Sequence, residues 1–302
     1  MGSCICNFAL DDLNIRMGKY SKELSIVITV YGKTDLLELC IDSIQQNLKS
    51  DELDYEIIVA VSAVEESARD LMREKYPKIT FIPNKENKGF GFVANQGIRK
   101  SVGKYIFVIN HDIIIKDSAI QELLNYLRKH KDVGLVAPKL VNFDGSIQNS
   151  AFRFYQWKTI IYRRTFFGKF SFAKKHLDKF LLKDELADNK TVDVDWVMGS
   201  AMMVSREALE KVGLFDERFF MYFEDVDWCW RFWQAGYRVV YNPTVQVAHY
   251  HGKASLNKGV IQAILLNKYT RVHIISALKF FKKHFGEKNP HLNFYRKCYD
   301  RK

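Results

Sequence analysis

Short apolar runs alternate with helical patterns through the first half of the chain. The runs are rich in Val and Ile, and in the segments between them apolar residues recur every three or four positions. This alternation predicts a parallel sheet that helices cover on both faces. The predicted strands are Ser25–Tyr31, Glu56–Val61, Ile79–Ile82, Tyr105–Ile109 and Val133–Val141, and the predicted helices are Thr34–Leu48, Glu65–Tyr76, Gly91–Ser101 and Ser118–His130.

The ends of these strands predict where a ligand binds. In open parallel sheets, ligands bind beyond the carboxyl ends of the strands. Tyr31, Ser62, Pro83 and Asn110 lie at four such ends, so we expect one cleft to contain all four. Two positions after Asn110, the carboxylate of Asp112 is suited to bind Mg²⁺ or Mn²⁺ together with phosphate oxygens. An Asp after a strand is also common as a turn or helix-capping residue.

The alternation stops after residue 141. Residues 150–190 mix aromatic residues with Lys and Arg, which is typical of a surface-docking insertion. Between residues 260 and 285 an apolar stripe lies opposite a basic face, and this predicts a basic amphipathic helix or a helix pair. The stripe is Ile264, Leu265, Tyr269, Val272, Ile275, Leu278, Phe281 and Phe285. Regular patterns return at Val194–Val204 and Asp225–Ala235, at a predicted helix Ser205–Val212 and at a predicted strand Tyr237–Tyr241.

The positive charge of the chain is concentrated in two segments. The net charge is +11, yet residues 151–190 carry ten Lys/Arg against four Asp/Glu, and residues 253–302 carry twelve against two. The rest of the chain is therefore mildly acidic, and the basic segments suit an anionic lipid surface. Five cysteines without regular spacing indicate a reducing cytosol. Without a long apolar stretch or a leader pattern, we expect neither a membrane span nor secretion.

A cluster of acids follows an aromatic run in the second half. Glu224, Asp225 and Asp227 come directly after Phe219–Phe223. Apolar neighbours raise the pKa of a carboxyl group, which suits a general base near neutral pH. Acids are also common in the first turn of a helix, and both interpretations can hold together.

Two further segments are suited to bind ligands. His249 follows a predicted strand, and its imidazole is able to complete a metal site with an Asp, although a lone His in such a place is more often structural. Gly89 and Gly91 precede a predicted helix, where glycine lets the backbone approach a ligand and the helix start favours phosphate. The spacing does not match a dinucleotide-binding fingerprint, which excludes a Rossmann dehydrogenase.

The order of these segments resembles glycosyltransferase family 2. The resemblance is strongest from Gly199 to Arg231, and it is closest to the rhamnosyltransferase-like members that build bacterial polysaccharides. SIVITVYGKTD, NKENKGFGFVANQGI, VINHD and VAHYHGKAS resemble other landmarks of the family. The resemblance covers about residues 24–257, so we expect a segment 1–23, a catalytic domain 24–257 and a helical extension 258–302.

The resemblance implies a GT-A fold, a mostly parallel sheet and inversion at the anomeric carbon. It also implies roles for single residues. Asp225 matches the catalytic base, Asp112 and His249 match ligands of a divalent metal, Mg²⁺ or Mn²⁺, and the remaining matches divide between donor and acceptor. The implied donor-binding residues are Val30, Tyr31, Gly89, Asn95, Asn110 and His111, and the implied acceptor-binding residues are Trp196, Gly199 and Glu224.

Two positions depart from the family pattern. Family members usually carry an Asp at the end of the second strand, where this chain has Val61, and Thr-Tyr-Asn at the end of the first, where it has Val30-Tyr31-Gly32. Both departures lie in the pocket for the nucleotide base. The resemblance implies rhamnose from a dTDP donor first and a hexose from a UDP donor next.

The expected partners follow from this interpretation. They are a nucleotide-sugar donor and a saccharide or lipid-diphosphate-linked acceptor, with peripheral contact to an anionic bacterial membrane from the cytoplasmic side and a possible homodimer. A nucleotidyltransferase would need a basic glycine-rich loop early in the chain, which is missing. A nucleic-acid-binding protein would need a recognisable module, and none appears. A carbohydrate-binding protein without catalysis is disfavoured by the presence of Asp112, Asp225 and His249.

Overall fold

The computed structural model describes residues 20–32, 34–49, 52–63, 65–250 and 268–299. Most of the predicted segment 1–23, the end of VAHYHGKAS and the first part of the predicted extension lie outside these ranges. The strands are β1 (Lys22–Tyr31), β2 (Tyr55–Ser62), β3 (Thr80–Asn84), β4 (Gly103–Asn110), β5 (Ile113–Ile115), β6 (Val133–Val141), β7 (Ala151–Phe152), β8 (Val192–Asp193), β9 (Trp196–Val197), β10 (Ala201–Ser205) and β11 (Arg238–His249).

Helices follow most of these strands along the chain. They are α1 (Leu37–Leu48), α2 (Glu66–Lys75), α3 (Phe90–Lys100), α4 (Ala119–Lys129), α5 (Trp157–Arg164), α6 (Ser171–Phe180), α7 (Arg206–Val212), α8 (Glu224–Gln234), α9 (Lys268–Lys283) and α10 (Pro290–Tyr299), with a short 3-10 helix at Phe166–Lys169. No helix in these described ranges is long and apolar enough to cross a bilayer.

One large sheet carries the fold, in the strand order β3-β2-β1-β4-β10-β6-β11-β5. The pairs β3–β2, β2–β1, β1–β4 and β6–β11 are parallel, whereas β10 runs antiparallel between β4 and β6. The mixed α/β architecture with parallel strands in the first half confirms the predicted fold class. Its core has two layers, because successive residues of a strand point to opposite faces. In β1, Val27 packs on the side of α3 and α8, and Ile26 and Ile28 pack on the side of α1 and α4.

Within Val194–Val204, where the sequence shows a regular pattern, the chain forms two short strands, β9 and β10. Asp195 lies buried in this segment and bonds outside the sheet, to the Phe154 N–H at 2.6 Å and the His291 ring at 2.6 Å. A turn at Gly199 and Ser200 then separates β9 from β10.

The last strand is longer than predicted, and this extension matters for the site. β11 continues from Arg238 to His249 although Pro243 interrupts its pairing with β6, where the register shifts between Asn242 and Gln246. Proline cannot donate to a strand ladder, so a bulge is the usual accommodation. Beyond the bulge, β11 pairs with β5 and brings His249 opposite Ile113.

The C-terminal helices pack on α8, and among the described residues only part of the predicted apolar stripe, notably Phe281, packs against the core. In α9 the buried side chains include Thr270, Ala277 and Phe280, whereas Ile275 and Leu278 of the stripe are half exposed. A polar contact with Asp227 of α8 also helps to orient this helix. Asp227 Oδ1 lies 2.6 Å from Lys283 Nζ and 2.9 Å from His284 Nε2, so a charged pair turns the helix.

Candidate active site

The carboxyl ends of the central strands meet at one edge of the sheet, as the sequence predicts. The register pairs Tyr31 with Ser62, Ser62 with Asn84 and Thr29 with Asn110. Tyr31 is exposed at this edge, whereas the side chain of Val30 lies in the core.

Asn110 ties three segments together at this edge. Thr29 Oγ1 donates to Asn110 Oδ1 at 3.1 Å, and the Asn110 backbone N–H donates to the Ser200 carbonyl oxygen at 3.0 Å. The Asn110 side-chain amide also reaches Ser200 Oγ at 3.5 Å. The backbone N–H of His111 donates to the Thr29 carbonyl, and burial lowers the pKa of its ring. The segment is therefore held by β1 and by the turn before β10.

Asp112 and His249 face each other beyond this edge. Asp112 Oδ1 lies 3.5 Å from His249 Nε2, although 137 positions separate the two residues in the chain. The antiparallel pairing of β5 and β11, together with the bond from the Tyr250 N–H to the Asp112 carbonyl, explains the approach. Burial raises the pKa of Asp112 to about 6.

The Asp112–His249 pair fits a divalent cation. Asp112 Oδ1 is buried and accepts no hydrogen bond from any residue that the structure describes, which is costly unless another partner is present. A carboxylate oxygen and an imidazole nitrogen are both ligands of first-row divalent metals. In the described part of the chain no group of three or more His, Cys, Asp and Glu residues could hold a metal alone. A bound diphosphate would thus have to supply further oxygens.

Asp225 is oriented by backbone groups at the start of α8. Gly199 N–H donates to Asp225 Oδ2 at 3.1 Å, and Val226 N–H donates to Oδ1 at 2.9 Å. Burial raises the pKa of Asp225 to about 6, although these hydrogen bonds partly oppose the shift. The residues before the helix are strained, because Tyr222 and Phe223 both have left-handed φ values, 66° and 68°. Strain of this kind concentrates at functional sites.

Glu224 is buried beside Asp225. Its Oε2 has no hydrogen-bond partner among the described residues. Burial, and then the charge of Asp225, raise the pKa of Glu224 well above its ordinary value. Two adjacent carboxyls in a low-dielectric site do not both ionise readily, which favours a single negative charge on the pair.

The turn at Gly199 and Ser200 joins the two halves of the site. Gly199 donates to Asp225, and the next residue, Ser200, contacts Asn110. A side chain at Gly199 would press on Phe90 Cε1 at 3.3 Å and on Asp225 Cβ at 3.5 Å. The backbone of this turn thereby positions the carboxylate of Asp225.

Four predicted site residues have structural contacts instead. Asn95 is fully buried, with its amide bonded to the Phe215 backbone in both directions and to Glu217. Gly89 contacts protein backbone, since an added Cβ would lie 1.9 Å from the Phe220 carbonyl oxygen. Because these hydrogen bonds occupy the Asn95 amide, we propose no ligand contact for Asn95. The close approach of the Phe220 backbone explains the glycine at position 89 without a ligand.

Trp196 and Val30 likewise belong to the packing of the core. Trp196 Nε1 donates to the Arg153 carbonyl at 2.8 Å, and its ring stacks on Phe152 and Tyr155. The side chain of Val30 is 1% exposed. Neither side chain is part of the proposed site.

Sequence reasoning missed Ser200 and Gln148. Ser200 contacts Asn110, and Gln148 bonds both the ring and the backbone of His249. Gln148 lies outside the quoted motifs, whereas Ser200 lies inside the Gly199–Arg231 run but has no assigned role there. The sequence alone does not indicate which groups a single Ser or Gln contacts.

Comparison with known proteins agrees with the resemblance. The model of a family described as "Glycosyltransferase like family 2" matches residues 22–271. An N-acetylglucosaminyl-diphospho-decaprenol L-rhamnosyltransferase of Mycobacterium tuberculosis (strain ATCC 25618 / H37Rv) is 29% identical over 188 residues, which cover 59% of this chain and 60% of the relative. Rhamnosyltransferase WbbL of Escherichia coli (strain K12) is 27% identical over 234 residues, covering 74% and 82%.

The solved structures support the fold. A crystal structure of GalNAc-T7 with UDP, GalNAc and Mn²⁺ is similar with a TM-score of 0.55 at 14% sequence identity, covering 83% of this chain and 48% of that one. This likeness confirms the predicted GT-A fold. The alignment with the mycobacterial relative spans about 60% of that protein's length. Because the family model matches most of the chain, the chain belongs to glycosyltransferase family 2.

Proposed function

We propose that the protein is an inverting glycosyltransferase that moves a sugar from a nucleoside diphosphate donor to an acceptor hydroxyl. The observation that carries the proposal is the turn at Gly199 and Ser200. It orients the carboxylate of Asp225 through one residue and contacts Asn110, beside Asp112, through the next. An oriented base and a diphosphate site thereby become neighbours.

In this proposal Asp225 is the general base. Its carboxylate accepts the proton of the acceptor hydroxyl while the oxygen bonds to the anomeric carbon, and the bond from that carbon to the diphosphate breaks on the opposite face. The backbone N–H groups of Gly199 and Val226 fix the carboxylate, so little reorganisation is needed. Glu224, held protonated, keeps the acid pair singly charged.

Asp112 and His249 would hold a divalent cation, Mg²⁺ or Mn²⁺. Such an ion would neutralise the charge of the leaving diphosphate. The buried, unpartnered Oδ1 of Asp112 is the feature that supports this role. Tyr31, Asn110 and His111 lie at the same edge of the sheet and remain the proposed donor contacts.

The names of the relatives support a narrower choice of substrates. Both the mycobacterial and the Escherichia coli relatives are rhamnosyltransferases, and the name of the former includes a diphospho-decaprenol acceptor. We therefore propose dTDP-rhamnose as donor, a UDP-hexose as the next choice, and an acceptor on a lipid diphosphate, in polysaccharide synthesis.

A lipid-linked acceptor also suits a surface on α5 and α6, which we place at the cytoplasmic membrane face. Phe166, Phe167, Phe170 and Phe172 are each at least 42% exposed there. Residues 157–183 carry eight Lys/Arg and one Asp, so the surface complements anionic headgroups. Aromatic side chains are favoured at the membrane interface.

Substitution of the base tests the central proposal. Asp225→Asn should lower kcat by about 10²–10⁴-fold, the usual contribution of a general base, with donor affinity unchanged. Transfer from dTDP-rhamnose and UDP-hexoses is measured by chromatography of the product, and donor affinity by calorimetry with Mn²⁺. Glu207→Gln, at an exposed carboxylate on α7, is the control. Wild-type turnover in Asp225→Asn would remove the residue from this role.

Chelation tests the metal, and vesicles test the membrane contact. EDTA should abolish transfer and Mn²⁺ should restore it; full activity in EDTA would contradict the metal site.

In sedimentation with phosphatidylglycerol vesicles, the double variant Phe166→Ser/Phe172→Ser should bind at least about tenfold more weakly, since each inserted Phe contributes roughly 1.5–3 kcal/mol. Leu71→Ser, at an exposed apolar position on α2, is the matched control. Equal binding by all three proteins would refute the assignment of this surface.

A further inference from the structure

Gln148 makes three hydrogen bonds around His249. Its Nε2 donates to the His249 backbone carbonyl at 3.0 Å and to Asn142 Oδ1 at 2.6 Å. Its Oε1 lies 2.7 Å from His249 Nδ1. One side chain thus holds both the backbone and the ring of the same histidine.

The orientation of the Gln148 amide follows from these contacts. The His249 carbonyl oxygen is only an acceptor, so the amide end that faces it must be the NH₂ group. Reversing the amide would set two oxygens against each other. The Asn142 amide agrees, because its own NH₂ group donates to Ser146 Oγ at 2.7 Å and leaves its oxygen toward Gln148.

The tautomer of His249 follows from the amide. Because the Gln148 oxygen cannot donate, Nδ1 must carry the proton in this bond. In a neutral imidazole with a proton on Nδ1, the lone pair available to a metal is on Nε2. That nitrogen is the one 3.5 Å from Asp112 Oδ1.

The backbone holds Gln148 in place. The Gln148 N–H donates to the Leu140 carbonyl at 2.9 Å, and the Asn142 N–H donates to the Ser146 carbonyl at 2.8 Å, which closes a tight hairpin after β6. β6 is paired in parallel with β11, the strand that carries His249. Neighbouring strands therefore supply the ligand and its support.

We propose that Gln148 is a positioning residue that keeps His249 protonated on Nδ1 and so presents Nε2, beside Asp112, to a divalent cation. This inference rests on the proposed metal site. Partners that orient a metal-binding histidine in this way typically contribute 10–100-fold to metal affinity. If the His249 imidazole rotated freely, the same site would bind the ion more weakly.

The test measures binding of Mn²⁺ and the tautomer, without reliance on turnover. Mn²⁺ is titrated into the full-length protein, in the presence of thymidine diphosphate, and the free ion is followed by electron paramagnetic resonance. Gln148→Leu should weaken binding by about tenfold or more. Gln148→Glu retains an acceptor for Nδ1 but sets a second oxygen against the His249 carbonyl and Asn142 Oδ1, so its affinity for Mn²⁺ should lie between those of the wild type and Gln148→Leu. Gln234→Leu, at a glutamine of α8 that bonds Glu287, controls for loss of a surface amide.

Nitrogen-15 spectra of histidine-labelled protein provide the second measurement. The His249 signal, identified by its loss in His249→Asn, should report a proton on Nδ1 in the wild type and in Gln148→Glu, and a mixture or the opposite tautomer in Gln148→Leu. Wild-type affinity in Gln148→Leu, or a wild-type proton on Nε2, would overturn the inference. If His249→Asn itself keeps full Mn²⁺ affinity, the metal site fails and this inference with it; if only Gln148→Leu does, the metal site survives.

Discussion

Gly89 offers a test that separates packing from ligand binding. Its φ of 98° and ψ of 167° lie in a region that is almost restricted to glycine. An added Cβ would lie 1.9 Å from the Phe220 carbonyl oxygen, on the loop that leads to α8. The neighbouring Phe90 N–H donates to that same oxygen at 3.2 Å. Gly89→Ala must therefore move backbone as well as accept strain.

The expected magnitude follows from these two effects. Backbone strain costs about 1–3 kcal/mol, and forcing an extra carbon into packed structure about 1–3 kcal/mol more. Gly236 is the matched control, with φ of 84° but no atom within 4 Å of an added Cβ. Gly236→Ala should show only a left-handed penalty of about 1–2 kcal/mol.

Urea unfolding at pH 7 and donor titration together decide the question. Gly89→Ala should lower the free energy of unfolding more than Gly236→Ala does, at an unchanged m-value. If Gly89→Ala is as stable as Gly236→Ala, the packing explanation is refuted. Weaker donor binding in a fully stable Gly89→Ala would instead restore the ligand contact that the sequence suggests.

Two further predictions concern charge. Because the pKa of Asp225 is raised to about 6 and the base must be ionised, kcat/KM should fall as the pH drops through about 6, roughly tenfold for each further unit; a profile that stays flat to pH 5 would contradict the assignment. Asp227→Asn should destabilise the fold by about 3–5 kcal/mol at pH 7 in urea unfolding, since it removes the buried charge that pairs with Arg231 and Lys283, although Lys283 keeps its bond to Asp216. Burial opposes the ionisation of Asp227, but these cations and His284 hold its pKa well below the ordinary value, so the stabilisation is present at neutral pH and declines only in strong acid; equal stability of Asp227→Asn at pH 7 would refute it.

The local pattern of the chain was enough to predict the sheet and its functional edge. Buried strands such as β2 appear in the sequence as continuous apolar runs. In the helices between them, apolar residues recur with a period near 3.6, because this period follows directly from the geometry of the helical backbone. In a parallel sheet the carboxyl ends share one edge, so Asn110 and Asp112 could be assigned to the cleft side without coordinates.

The contacts of single polar residues were decided only by the tertiary structure. Asn95 lies within a motif that resembles a nucleotide site, yet Phe215 and Glu217 take up its amide. The packing of α9 also includes an ion pair between Lys283 and Asp227, a residue more than forty positions away from the helix, which the apolar stripe of the helix does not indicate.

The same distinction applies to the proposed metal site. The sequence indicates Asp112 and His249 as separate candidates, but their 3.5 Å approach requires β11 to continue past Pro243 and pair with β5. Gln148 has no sequence signal at all, because a hydrogen bond depends on distance and direction between groups that only the folded chain brings together. Periodicity determines which face of an element is apolar, whereas long-range pairing determines which polar groups meet.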